Sequence, residues 1–94
     1  MQFPGALKMG KVLAIMRVMP ASVDVDLKGL TAELRRRVPQ IRDVAEEPIA
    51  FGLKAIKLAV VVGDEEGGTD AIEGSIASVK DVASVEIIDL DRLL

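Results

Sequence analysis

The chain contains no cysteine and no histidine. Together these absences remove disulfide staples, thiolate and imidazole metal sites, and the usual nucleophile and base pairs of hydrolases. An enzyme built from this sequence would have to work with carboxylates, lysines and hydroxyls. Tryptophan and tyrosine are missing too, and Phe3 and Phe51 are the only aromatics. A surface that stacks nucleic-acid bases therefore has almost nothing to stack them with. The longest apolar runs, near Val12 to Met16 and Leu58 to Val62, fall far short of the roughly 20 residues that span a bilayer. The opening MQFPGALK has no charged start followed by an apolar core, so residues 1–8 read as a non-secretory extension expected to be disordered. These features predict a soluble, cytoplasmic protein with no membrane partner.

Ninety-four residues, half of them apolar, suit one domain with its own core. The net charge of −3 argues against indiscriminate binding to nucleic acid, which rests on accumulated Lys and Arg. The charges are segregated along the chain. Lys28, Arg35, Arg36, Arg37 and Arg42 face only Glu33 in their stretch, whereas Asp64, Glu65, Glu66, Asp70 and Glu73 stand together without a base.

Lys11 to Met19 has the near-continuous apolarity of a covered strand, ended by Pro20. Leu27, Leu30, Leu34 and Val38 then recur at helical spacing. Asp24 or Asp26 can cap that helix, the arginine run suits its C-terminal dipole, and Pro39 stops it. A second strand is predicted from Arg42 to Phe51; Pro48 cannot donate to a ladder, so this strand belongs at a sheet edge. Gly52 permits a turn into a third strand, Lys54 to Val62, where Ile56, Leu58, Val60 and Val62 face one way and Lys57 the other. Thr69 is the expected cap of a second helix with Ile72, Ile76 and Val79 on its stripe, and Gly74 within it suggests close packing. The last strand, Ser84 to Leu90, is expected to show Val85 and Ile87 on one side and Ile88 and Leu90 on the other. Strand, helix, strand, strand, helix, strand with right-handed crossovers gives an α+β ferredoxin-like βαββαβ sandwich: four antiparallel strands with two helices on one face.

Catalytic and ligand motifs are weak. The loop GDEEGGT lacks the lysine of a phosphate loop and the alternating acids of a calcium loop, so it reads chiefly as a solvated turn. Arg35 to Arg37 fan over about 200° of a helix and cannot form one patch. Glu46 and Glu47 point to opposite faces of a strand and share no acid and base site. Phe51 beside Gly52 can either cap the core or project outward.

Two segments carry a family resemblance. PIAFG, Pro48 to Gly52, and VVVGDEEGGTD, Val60 to Asp70, are similar to the aromatic turn and the acidic helix entry of the guanine-nucleotide exchange domain of elongation factor 1-beta, closest to its short archaeal form. The likeness covers Met9 to Leu94 as a single exchange domain. It implies a translation elongation factor, not an enzyme in its own right, that promotes replacement of GDP by GTP on elongation factor 1-alpha. Pro48, Phe51 and Gly52 would anchor that GTPase, with Lys54 and Lys57 at the rim. In eukaryotic relatives a near-terminal lysine and an aliphatic neighbour reach the partner's magnesium and phosphate region; those positions fall here on Arg92 and Leu93, with Leu94 left over. Arginine replaces a compact ammonium by a planar fork, so the exchange of residue is not neutral. No cofactor belongs to this chain, since GDP, GTP and Mg²⁺ are the partner's, and no direct nucleic-acid contact is implied. The alternative is a ferredoxin-like RNA-binding or small-molecule regulatory module, because this fold hosts many functions.

Overall fold

The structure is a computed structural model that describes residues 11–63 and 68–93. The expected extension at residues 1–8 and the acidic turn Asp64 to Gly67 lie outside the described residues. The elements are β1 (Lys11–Pro20), α1 (Leu27–Arg37), β2 (Ile41–Ala50), β3 (Leu53–Gly63), α2 (Gly68–Ala77) and β4 (Val82–Leu93). They form one four-stranded sheet in the order β2-β3-β1-β4 with every pairing antiparallel, which is the ferredoxin-like arrangement.

Period-two alternation builds the sheet's inner face. Ala14, Met16 and Val18 of β1 and Ile56, Leu58, Val60 and Val62 of β3 are buried on the same side, as their direct pairing requires. Leu30 and Leu34 of α1 and Ile72 and Ile76 of α2 close over them in one cluster. Among the described residues no helix covers the other sheet face, the open face. There β1 presents half-buried Leu13 and Ile15, and Arg17.

Asp26 is the acid that caps α1: its Oδ1 accepts from the Lys28 amide at 3.2 Å. At the far end the Val38 N–H donates to the Leu34 carbonyl, and Arg35, Arg36 and Arg37 occupy the last turn, where positive charge meets the helix dipole favourably. Helix α2 begins at Gly68, so Thr69 lies in its first turn instead of capping it. A Cβ at Gly74 would meet nothing within 4 Å. Close packing therefore does not explain that glycine.

Strand β2 lies at an edge, as Pro48 requires, and β4 forms the other. Both are blunted by register shifts. In β2 the extra residues are Arg42 and Ile49, and in β4 they are Ala83 and Ile88, a device that disturbs an edge ladder and discourages further pairing. The bulge at Ile88 corrects one expectation. Met16 pairs with Ile87 but Ala14 pairs with Leu90, so Leu90 shares a face with Val85 and Ile87 instead of opposing them. Strand β4 also runs on to Leu93, which places Arg92 and Leu93 in the ladder.

Candidate functional site

Residues Phe51 and Gly52 alone join β2 to β3. Their φ angles are 55° and 80°, the signature of the tight turn whose twist matches two antiparallel strands. Asparagine followed by glycine is the easy sequence for that turn. Gly52 meets the requirement without strain, and its Cβ position is open space. Phe51 does not meet it cheaply, because an aromatic L-residue in the left-handed region crowds its own carbonyl. The ring gains nothing from the fold in return: it is 101% exposed. Of the two readings of Phe51, the structure selects the outward one. A backbone cost with no intramolecular compensation is the kind found where a surface is kept for another molecule.

Pro48 sits three residues before this ring, exposed, opposite Lys54. Ile49, the bulged residue between them and the turn, is exposed as well. Lys54 and Lys57 are both exposed, yet their odd spacing sends them to opposite faces of β3. Lys54 stands 3.7 Å from Glu46. Lys57 stands on the open face beside Arg17. The structure thus gathers Pro48, Phe51, Gly52 and Lys54 near one turn and sets Lys57 on another surface.

The open face carries an arrangement that composition does not reveal. Arg17 Nε donates to Glu47 Oε1 at 3.1 Å, and its Nη1 donates to Glu86 Oε2 at 3.2 Å. Glu47 is on β2 and Glu86 on β4, so one guanidinium joins the two edge strands. To reach Glu47 it must pass over β3, where Ala55, the Cα partner of Glu47, is completely buried. A small residue there leaves room for the crossing. The hydrogen bond and charge of Glu47, with the nearby Glu86, raise the Arg17 pKa further above its ordinary value. Glu46 and Glu47 have different partners on different faces, which agrees with their separation along the strand.

Arg92 and Leu93 pair with Val12 and Lys11, and Lys11 also pairs with Gly63 at the end of β3. The turn at Phe51 precedes the start of that same strand. Since β3 is 11 residues long, roughly 33 Å separates the aromatic turn from the chain end at about 3.3 Å per residue. The two sequence-predicted groups therefore occupy opposite ends of the sheet. Among the described residues no three acidic side chains gather to hold a metal ion, and no helix is long and apolar enough to cross a membrane.

Pattern alone does not single out Arg17, a charge within the apolar run of β1, or Val23 and Ile49, exposed near the turn. Ile49 had a signal, since it lies within PIAFG; Val23 had none.

Comparison with known proteins agrees with this geometry. Elongation factor 1-beta of Methanosphaerula palustris is 51% identical over 82 residues, covering 87% of this chain and 96% of that protein. Elongation factor 1-beta of Methanothermobacter thermautotrophicus is 47% identical over 89 residues, covering 92% of this chain and all of that protein, 100%. The counterpart in Methanoregula boonei is 52% identical over 82 residues, with 87% and 96% covered. Residues 13–93 match the EF-1 guanine nucleotide exchange domain, and with an aromatic turn and a ferredoxin-like sheet to go with that match, the chain belongs to this family.

Proposed function

We propose that this protein promotes the exchange of GDP for GTP on elongation factor 1-alpha, the GTPase that delivers aminoacyl-tRNA, and does so by binding rather than by covalent chemistry. The observation that carries this reading is the Phe51 ring, wholly exposed on a backbone that disfavours it. Aromatic anchors of this kind contribute a few kcal/mol at the centre of an interface.

Spontaneous GDP loss from such a GTPase is slow because a phosphate loop, switch segments and Mg²⁺ hold the nucleotide. A thousandfold acceleration lowers the barrier by about 4 kcal/mol. The factor supplies this by binding the nucleotide-free or magnesium-free conformation more tightly than the loaded one, and reciprocity makes the incoming nucleotide loosen its grip in turn. Pro48, Phe51 and Gly52 anchor the partner at one end of the sheet. Arg92 and Leu93, about 33 Å away by the strand rise, address the partner's ion site from the other. The separation supports a partner contacted at two places, with the turn holding and the chain end disturbing.

Release of a fluorescent GDP analogue from purified elongation factor 1-alpha tests the proposal. The intact chain accelerates release, while Phe51→Ala and a chain truncated after Asp91 do so much more weakly. No acceleration by the intact chain removes the exchange reading; full acceleration by either variant removes the role given to that end.

A further inference from the structure

Four large apolar side chains are exposed among the described residues: Val23, Ile49, Phe51 and Leu90. Three of them share one end of the molecule. The loop that leaves β1 there carries Val23, and the turn between β2 and β3 lies beside it. Val23 and Gly52 line a common cleft of about 220 Å³, with Pro20, Val25, Leu27 and Leu53 in its walls. Folding accounts for Val25 and Leu27, which pack against the core. It does not account for Val23, 60% exposed two residues earlier, or for Ile49 on its bulge.

A single ring projecting from a two-residue turn makes a poor anchor by itself, because a strong contact needs neighbours that keep water away from it. Exposed apolar residues gathered at one place mark a site of association. Ser22 and Lys54 border the cleft and Asp24 follows Val23, giving the polar rim that surrounds the apolar centre of an interface. We propose that Val23 and Ile49 form one docking patch with Phe51 for the GTPase, and that the cleft beside Val23, whose walls mix apolar and polar groups, borders that contact. This inference rests on the exchange reading above and adds to it the loop after β1 as a determinant of partner affinity.

The test uses the full chain carrying Val23→Asp, the milder Val23→Thr, or Ile49→Ser. Each is followed by calorimetric binding to nucleotide-free elongation factor 1-alpha, by GDP-analogue release, by thermal melting and by sedimentation. Every variant should melt close to the unchanged chain, because no buried side chain is altered. Val23→Asp should weaken binding about tenfold or more and Ile49→Ser about fivefold, the losses expected for interface truncation above 1 kcal/mol, with Val23→Thr between. Unaltered affinity in all three beside a defective Phe51→Ala overturns the patch and leaves the exchange reading standing. Absence of exchange by the unchanged chain takes both down together. Self-association that Val23→Asp abolishes assigns the patch to a second copy of this chain and overturns the proposed occupant.

Discussion

Replacing Phe51 by asparagine separates stability from function at one residue. The ring is 101% exposed, so its removal uncovers no core and forfeits no packing. Its backbone, at φ 55°, costs an ordinary L-residue about 1–2 kcal/mol, while asparagine tolerates that region through local hydrogen bonding. Phe51→Asn should therefore stabilise the fold by about 1 kcal/mol, which for a domain of this size raises the melting temperature by about 4–8 °C. Phe51→Ala keeps the conformational penalty and should melt within a degree or two of the parent, since alanine is no better suited to positive φ. On the proposed reading both variants lose the anchor. A truncation cost of about 2 kcal/mol weakens partner affinity about 30-fold. Circular dichroism melts and GDP-analogue release, run on the same preparations, read the two effects together. A Phe51→Asn protein that melts below the parent refutes the strain argument, and one that is both more stable and fully active refutes the assignment of the ring to the partner.

Gly74→Ala should stabilise α2 by about 1 kcal/mol, because the added methyl meets nothing within 4 Å; an equilibrium urea titration that shows destabilisation would mean the helix packs more closely than described. The Glu33 carboxylate accepts from Arg37 at 2.8 Å and from Arg36 at 2.6 Å, and these bonds, Arg37 first, hold its pKa below the ordinary carboxylate value. The unfolded chain therefore takes up this proton at higher pH than the folded one, so the contribution is complete above the ordinary value and is lost as pH falls through the lowered one. Urea midpoints between pH 6 and 3 should accordingly fall less steeply for Glu33→Gln than for the parent, and identical slopes would contradict the pairing.

Much of this fold is written as local periodicity. Ile56, Leu58, Val60 and Val62 announce a half-buried strand, and Leu30 and Leu34 a helix stripe, because each face needs only its own spacing to be recognised. Pro48 likewise places β2 at an edge through one missing donor. The bulge at Ile88 is different: in Val85 to Leu90 the alternation with Glu86 and Asp89 changes phase at Ile87 and Ile88, but a phase change alone does not say which face each half takes, and only the register against β1 shows that one residue is extra. The reach of Arg17 to Glu47 and Glu86 depends on the strand order, which brings residues 30 and 69 positions away to one guanidinium. Phe51 was legible as a turn residue, but its outward direction follows from backbone angles that no side-chain pattern encodes. Val23 is hidden because it alternates with Asp24 as Val25 and Leu27 do with Asp26, so its spacing does not tell it apart from the two that pack against the core.

The length of β3 sets a ruler between the aromatic turn and the chain end. On the proposed reading, once one grip has closed on the GTPase, the other searches only a small volume, so its local concentration is high without any new contact being made. Neither grip then has to be tight. A helper that must leave after every round of nucleotide replacement gains from this arrangement, since losing one hold turns a durable complex into a briefly tethered one.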